Sequence, residues 1–510
     1  MSPAALARHR GPIVVSVMLA TIMQALDTTI ANVALPHMQG SLSATQDQIS
    51  WVLTSYIVAA AIMTPPTGIL AEKFGRKRLF LSAVAGFTIA SMLCGVAQSL
   101  PEMVAFRLLQ GVFGASLVPL SQAVLLDTYP REEHGRAMAL WGVGVMVGPI
   151  LGPTLGGYLT EYYNWRWVFF INLPFGIIAF LGILAFVHDN LPRPPRRFDL
   201  FGFAMLSLAI GALQLMLDRG ELKNWFESPE IMIEAAIAAL GFYLFIVQMT
   251  TAENPFLDAT LFKDRNFVTS LFFIFIVGII LLATLALLPP FLQNLMGYPV
   301  VTTGLVLAPR GVGTMIAMLV IGRLIGKIDA RLVLIFGLSL AAISLWEMAG
   351  FTEEVSEWTL IRTGVVQGLG LGFIFVPLTT IAFSTLPPFL RTEAAGMFSL
   401  MRNIGSSIGV SIVTSLLVRY TQVNHENLAR FTSPYAPQMQ PGNLPSMWDP
   451  ATAQGLAALN AEVTQQASLI AYLNDFRLMM YVTLAAIPMV LLLRRQADAL
   501  PPPDSAAAME

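Results

Sequence analysis

Two charged residues, Asp27 and Arg107, lie deep inside long apolar stretches of the sequence. A charge at the centre of a bilayer costs at least about 2.5–3.5 kcal/mol on insertion scales, so each of them needs a partner. Asp27 belongs to a helically spaced stripe that would face other helices, formed with Ala20, Gln24, Ala31 and Ala34. We interpret Asp27 as a carboxyl group that binds and releases protons, or alternatively as a permanently ionised acid that only holds helices together.

Arg107 is followed by Gln110, Gly111 and Gly114, and the two glycines allow another helix to approach closely. Its charge either modulates a proton-carrying acid or grips a substrate, or else it is a structural counter-ion. The same alternatives apply to three further arginines in apolar stretches, Arg310, Arg362 and Arg402.

A short polar segment combines helix-breaking glycines with an acid and several cations, and its main members are Gly68, Glu72, Gly75, Arg76 and Lys77. Pairing of Glu72 or Arg76 with a neighbouring helix end would stabilise one conformation and break in another, as a gate requires. The alternative is that the cations only fix the membrane topology, which explains their sign but not the glycine spacing.

A third pattern is a run of glycines every four residues, Gly144, Gly148, Gly152 and Gly156, interrupted by prolines that include Pro149. Glycines in this phase form a smooth helix surface, and the prolines bend it. We expect a rigid seal or pivot that lines a substrate path.

Enzyme and cofactor chemistry has little support. The single cysteine, Cys94, cannot form an internal disulfide, and no GxxxxGK[ST], HExxH or paired CxxC occurs. The GxSxG match at 405–409 lies in an apolar helix rather than at a strand-to-helix elbow. We therefore predict no enzyme activity, no cofactor and no metal site, and the net charge of −2 argues against a nucleic-acid partner.

The elements that carry these residues are membrane-spanning helices, because 55% of the chain is hydrophobic and only 12% is charged. A crossing helix needs about 20 mostly apolar residues. Fourteen such runs can be drawn, at residues 13–35, 50–71, 79–99, 102–126, 137–160, 166–187, 200–217, 230–250, 267–290, 303–325, 332–350, 358–385, 393–417 and 474–493.

Lys and Arg are concentrated in alternate loops, with clusters at 73–78, 193–197 and 494–495. The basic residues of the opposite loops are few, namely Arg166, Arg219, Lys223, Arg419 and Arg430. By the positive-inside rule, the first set faces the cytoplasm and both termini are cytoplasmic.

The sequence also repeats itself. The pattern that begins at Gly68 recurs at Gly322, an offset of 254 residues, and the pattern that begins at Arg107 recurs approximately at Arg362. Gly144 and Gly148 return in the same phase at 405–409. We predict six helices in residues 1–190, two extra helices in 198–251 and six more in 262–495, with a long loop at 418–473. Two repeated six-helix halves are typical of transporters with a central substrate site.

These features resemble the major facilitator superfamily, and the 14-span arrangement is similar to its drug:proton antiporter group, most closely the EmrB-type multidrug exporters. The resemblance lies in residues 27–36, 68–78, 107–114, 144–157 and 164–174, and in residues 217–220 with Trp225. One departure is Glu72, where the family usually has Asp.

The resemblance implies a major facilitator fold in the bacterial inner membrane, and proton-coupled export of small amphiphilic compounds by alternating access. Asp27 and Arg107 would couple the protons, residues 68–78 would gate the cytoplasmic side, and residues 144–156 would form the antiporter motif. A periplasmic adaptor, or membrane-fusion protein, and an outer-membrane channel are implied as partners, with 418–473 on the side where an adaptor would bind. Two alternatives remain: a proton-coupled nutrient importer on the same fold, and a membrane scaffold or sensor that transports nothing.

Overall fold

The computed structural model describes residues 3–188, 198–325, 327–432, 448 and 452–493. The basic clusters at 193–197 and 494–495 lie outside the described residues. Helices account for nearly all of the described chain, and their bounds are α1 Pro3–Ser41, α2 Gln46–Ile49, α3 Trp51–Met63, α4 Thr67–Phe74, α5 Arg76–Val96, α6 Leu100–Gly114, α7 Leu117–Thr128, α8 His134–Tyr162, α9 Trp167–Phe170, α10 Asn172–Phe186, α11 Leu200–Arg219, α12 Pro229–Thr251, α13 Arg265–Pro290, α14 Val300–Leu324, α15 Ala330–Met348, α16 Glu357–Ser384, α17 Arg391–Ala429 and α18 Ala453–Met489.

Within the described residues, thirteen helical segments are long and apolar enough to cross a membrane. A fourteenth span is formed by α3 and α4 together, which meet at an angle of 60°. The bend falls at Pro65 and Pro66, which have no backbone N–H to donate to the preceding turn. The fourteen spans predicted from apolar runs are therefore confirmed.

The spans form two six-helix bundles, α1 to α10 and α13 to α18, with α11 and α12 between them in the chain. Helix α8 of the first bundle packs along α14 of the second, where Gly142 lies against Met318. Trp141 of α8 is fully buried and stacks on Phe375 of α16, with ring centroids 5.7 Å apart. An extended apolar core therefore runs from one bundle into the other.

The extra helix α11 contacts both bundles. On one side it packs against α3, and the Arg219 guanidinium at its end lies over the ring of Trp51, 5.7 Å from the centroid. On the other side, the Ser411 hydroxyl of α17 donates to the Leu217 carbonyl at 3.1 Å. Helix α11 is thus packed against both bundles and does not stand apart from them.

We call the end of the bundle that contains residues 67–78 the inner end, and the opposite end the outer end. Helices α17 and α18 continue past their apolar parts at the outer end, so much of the 418–473 segment is helical. The two extensions contact each other, because Asn424 Nδ2 donates to the Ala467 carbonyl at 3.4 Å and a ring nitrogen of His425 lies 3.0 Å from Asn460 Oδ1. The Pro-rich part of this segment, 433–447, lies outside the described residues.

Candidate functional site

Asp27 is the centre of a buried polar cluster in the first bundle. Its side chain is fully buried, and its Oδ2 accepts a hydrogen bond from Arg107 Nη1 at 2.7 Å. Its Oδ1 accepts from Gln110 Nε2 at 2.8 Å and from Asn172 Nδ2 at 3.0 Å. Three donors from two further spans therefore surround one carboxylate, and its negative charge is matched by an adjacent positive one.

Arg107 is held on all sides. Besides Asp27, its Nη1 donates to Gln110 Oε1 at 2.7 Å, and its Nε donates to the Val52 carbonyl of α3 at 3.0 Å. The guanidinium also lies over the ring of Tyr56, 4.4 Å from the centroid, which adds a cation–π contact. These contacts fix the position of the charge that faces Asp27.

Among the members of this cluster, Asn172 lies in the stretch 164–174 that carries the family resemblance, whereas Tyr56 and Val52 have no signal of their own in the sequence. The Asn172 amide also donates to Ser91 Oγ at 2.9 Å, which orients it toward Asp27. Tyr56 and the Val52 carbonyl belong to an apolar stretch and look like ordinary core. Gln110 is singled out with Arg107 in the sequence because it lies one helical turn away, but contacts between spans cannot be found in this way.

The cluster is closed in this conformation. Asp27 is 0% exposed and Arg107 is 1% exposed, and both face protein rather than the lipid side of the bundle. Water reaches the carboxylate only if the surrounding helices move apart. The geometry suits a charge pair that is sealed in one conformation and opened in another, and it also suits a pair that only fastens α1 to α6.

At the inner end, Asp127 joins the two bundles. It forms an ion pair with Arg76, which begins α5, and a second one with Arg391 Nη1 of α17 at 2.8 Å. Arg76 Nη2 also donates to the Pro388 carbonyl of the second bundle at 2.9 Å. The inner end is therefore fastened by the ion pair of Asp127 with Arg391 and by the bond of Arg76 to Pro388, which both cross between the bundles, and no sequence pattern singles out Asp127.

The other residues of this segment have distinct places. Gly75 adopts φ 85°, a conformation that side chains rarely tolerate, and it separates α4 from α5. Gly68 lies against the backbone of Glu393 in α17, where a Cβ would sit 2.8 Å from Glu393 Cα. Lys77 Nζ donates to the Leu184 carbonyl at 2.7 Å, and Glu72 is part of α4. The close approach at Gly68 and the ion pair of Arg76 act on the same boundary.

The glycines of α8 let it lie directly on α1. A Cβ at Gly148 would overlap the backbone of Ala25, and one at Gly152 would overlap Thr29. Thr29 Oγ1 also donates to the Gly148 carbonyl at 3.0 Å. The neighbouring glycines contact α1 in the same way, Gly144 at Met18 and Gly156 at Ile30, while Pro149 lies within the helix. We call these four glycines of α8 the glycine ridge, and it packs against the helix that carries Asp27.

The second bundle repeats this framework with different polar groups. Gln367 Nε2 donates to Thr284 Oγ1 at 3.3 Å, in the place of the bond from Gln110 to Asp27. Both members of the pair are offset by 257 residues. Arg362, which the sequence pattern matched with Arg107, is instead half-exposed at the outer end and pairs with Glu347 at 3.1 Å. The sequence match between Arg362 and Arg107 therefore does not reflect equivalent positions in the structure.

Arg310 occupies the remaining polar position of the second bundle. A Cβ at Gly368 would overlap the Arg310 carbonyl, just as one at Gly111 would lie against the Tyr56 carbonyl, so Arg310 stands where Tyr56 stands in the first bundle. Its Nη2 lies 3.4 Å from the Leu281 carbonyl, and its Nη1 has no hydrogen-bond partner within the described chain.

Comparison with known proteins agrees with this architecture. Residues 17–410 match the model of the Major Facilitator Superfamily. The chain is 39% identical to the multidrug export protein EmrB of Escherichia coli strain K12 over 428 residues, 84% of each chain. It is 36% identical to the fatty acid resistance protein FarB of Neisseria gonorrhoeae over 480 residues, 94% of this chain and 95% of that one.

Among solved structures, the human organic anion transporter MFSD10 (TETRAN) superposes with a TM-score of 0.59 at 14% sequence identity, covering 93% of this chain and 99% of that one. This likeness concerns the fold. Together with the family match and the identity to bacterial exporters, it identifies a multi-pass inner-membrane protein. The chain therefore belongs to the major facilitator superfamily, among its EmrB-type members.

Proposed function

We propose that the protein is a proton-coupled antiporter that exports small amphiphilic compounds across the inner membrane by alternating access, with both termini in the cytoplasm. The observation that carries the proposal is the sealed pair of Asp27 and Arg107 at the centre of the first bundle. Each proton that enters down a potential of 100 mV releases about 2.3 kcal/mol, which is available to drive export.

In this proposal Asp27 carries the proton and Arg107 tunes it. Protonation of Asp27 would remove the negative charge that Arg107 faces at 2.7 Å and would weaken the hold between α1 and α6. Because the glycine ridge of α8 lies on α1, a shift of α1 would be transmitted along the surface between the bundles. Breaking a buried ion pair costs about 3–5 kcal/mol, so the two charge states favour different helix arrangements.

Alternating access requires that one end closes while the other opens. The ion pair of Asp127 with Arg391 supports an inner gate, because it binds one bundle to the other. Arg76 adds to this contact, since it pairs with Asp127 and donates to the Pro388 carbonyl of the second bundle. Residues 68–78 would then act in the gate as a loop whose pairing is made in the outward-facing state and broken in the inward-facing one.

The substrate class and the partners rest on the relatives. The names of the EmrB proteins denote multidrug export, and FarB is named for fatty acid resistance, so amphiphilic compounds are the proposed substrates. We also propose a periplasmic adaptor and an outer-membrane channel as partners. The outer helical extensions of α17 and α18, which project past the apolar spans, are the surface that we assign to the adaptor.

The test is dye export by purified protein in liposomes under an imposed proton gradient, with dye and internal pH followed together. Wild-type protein should move an amphiphilic dye against its gradient and move protons the other way. Asp27→Asn should abolish proton-driven dye movement while the protein remains folded. Glu253→Gln is the matched control, since this acid is exposed after α12, lies outside the charge cluster, the proposed gate and the adaptor surface, and should leave export unchanged.

The contrary outcomes are distinct. Wild-type rates from Asp27→Asn would remove Asp27 from the mechanism. Dye accumulation in the same direction as proton entry would indicate an importer. If wild-type protein shows no substrate-dependent proton movement, transport is excluded and the alternative of a membrane scaffold or sensor is favoured.

A further inference from the structure

Asp475, in the last span, is a buried acid that the mechanism above does not use. Its side chain is 0% exposed, and neither carboxyl oxygen has a hydrogen-bond partner within the described chain. An ionised carboxylate without a partner is among the most costly groups that a protein interior can hold. Asp27, by contrast, has three donors around it.

The surroundings of Asp475 are mainly aromatic and aliphatic. Tyr472 and Phe476 pack on Phe291, with ring centroids 5.4 Å and 6.3 Å apart, and Phe476 also lies against Phe351. Asp475 therefore lies on its helix beside side chains of a buried aromatic cluster that carries no charge.

Helices α13, α15 and α17 pack against α18. Within the described chain, Asp475 forms no ion pair with any of their charged or ionisable side chains, which are Arg265, Arg331, Glu347, Arg391, Glu393, Arg402, Arg419, Tyr420, His425 and Glu426. On α18 itself, Tyr472 lies three residues before Asp475 and is 5% exposed. Arg477 lies on α18 itself but on its exposed face.

The internal repeat gives this position a meaning. Spans six and fourteen show the same alternation of buried and exposed residues at an offset of 307, which matches Asn172 with Met479 and Ile183 with Val490. Met479, one turn from Asp475, has its Sδ 3.8 Å from Thr284 Oγ1. Asp475 therefore lies one helical turn from the position that corresponds to Asn172, and it is an acid where the first bundle has the buried Val168.

The two bundles thus differ in how the buried acids within their spans are held. In the first bundle Asp27 and Arg107 are joined. In the second, Asp475 and Arg310 lie on helices that both contact α13, and no ion pair joins them within the described residues. A residue that served only to fasten helices would have a partner, and Asp475 has none among the residues that the structure describes.

We propose that Asp475 is a second proton-binding carboxyl group of this protein, protonated in the present conformation and able to exchange its proton with water when the second bundle rearranges. In the exchange, the O–H bond of the carboxyl group breaks, the proton passes to water, and the carboxylate later takes a proton back. The use of this proton in transport rests on the proposed function, whereas its binding at Asp475 does not.

Infrared difference spectroscopy of the full chain in lipid nanodiscs tests the binding without any substrate. Wild-type protein should show a C=O stretching band of a protonated carboxylic acid that is missing from Asp475→Asn and displaced in Asp475→Glu. The band should move to lower frequency in D2O and lose amplitude as the pH rises, because the carboxyl group exchanges and then ionises. Glu426→Gln, an exposed acid, should leave the band unchanged.

Identical carboxylic-acid bands from wild type and Asp475→Asn over the whole pH range would overturn the proposal. A band that never shifts in D2O would overturn it as well, because it would show a sealed group. Asp475→Asn is nearly isosteric and should fold with an unchanged or higher melting midpoint. If it does not fold, the position and D2O shift of the Asp475→Glu band decide the question.

The transport step is measured by the number of protons moved per dye molecule in the liposome assay. Asp475→Asn should lower that number, and an unchanged number would overturn the role of Asp475 in transport. If wild-type protein exports no dye, the proposed function fails, and the infrared experiment still decides whether Asp475 binds an exchangeable proton.

Discussion

The two bundles share the contacts that bring helices together. In the first, Gly148 of α8 lies on Ala25 of α1, and in the second, Gly409 of α17 lies on Ile279 of α13. The two glycines are offset by 261 residues and their partners by 254. The steric framework is therefore the same in both bundles.

The polar centres of the bundles differ. Gln110 bonds to the carboxylate of Asp27, whereas Gln367 bonds to the hydroxyl of Thr284. The first centre is a compact ion pair, and the second holds a neutral hydrogen bond with charges placed apart. Helix packing constrains residue size at a few points, whereas polar side chains can change in type and position without disturbing that packing. The two halves of a repeat can therefore keep the same shape and carry different polar groups.

The largest expected contrast comes from the two buried arginines. Arg107→Met should destabilise the protein by about 3–5 kcal/mol, because it leaves the buried Asp27 without a counter-ion. Arg310→Met should cost about 1 kcal/mol or less, since it removes one long hydrogen bond to a carbonyl and no ion pair within the described chain. Unfolding in detergent micelles measures both values.

The double variant Asp27→Asn/Arg107→Met is the control for this contrast. It removes both charges and should recover most of the stability that Arg107→Met loses. Equal losses from Arg107→Met and Arg310→Met would show that the two centres are not different in kind.

A smaller contrast is expected from the paired glutamines. Gln110→Leu removes a donor to Asp27 and an acceptor from Arg107, and hydrogen bonds to charged groups are worth about 1.5–3 kcal/mol. Gln367→Leu removes a 3.3 Å bond to a hydroxyl and should be nearly neutral. The same unfolding assay applies, and a loss at Gln367 as large as that at Gln110 would contradict the comparison.

The shared framework predicts similar effects in the two bundles. Gly148→Ala and Gly409→Ala should each cost about 1–3 kcal/mol, because a Cβ would overlap the facing helix backbone. Gly157→Ala, on the same helix as Gly148, meets only Val33 at 4.0 Å and should cost almost nothing. If only the Gly148 variant is destabilised, the packing of the two bundles is less alike than their geometry indicates.

Much of the fold was predictable because its determinants are local. Apolar length fixes each span, so the predicted run 137–160 differs little from His134–Tyr162. The importance of Asp27 and Arg107 followed from the cost of charge in a bilayer. Their direct contact did not, because 80 residues separate them and no periodicity relates one span to another.

Other parts of the site were beyond sequence reasoning for specific reasons. Asp127 meets Arg391 across 264 residues, and it stands at the polar end of a helix where an acid is unremarkable. The predicted span 474–493 begins one residue before Asp475, which would put this acid at the end of a helix. The helix in fact begins at Ala453, so Asp475 lies well inside it. A hydropathy window cannot distinguish a buried acid from one at the surface when the apolar segment is extended by a polar helix.

The bend between α3 and α4 has a mechanical consequence. The outer part of this span supplies the Val52 carbonyl to Arg107, and the inner part carries Gly68 against α17. Because two prolines interrupt the backbone hydrogen bonds between the two parts, the inner part can change its angle while the outer part keeps its contact with Arg107. The contact of Gly68 with α17 can thus break while the bond of Val52 to Arg107 remains. Opening of the inner end and rearrangement of the charged centre can therefore occur one after the other.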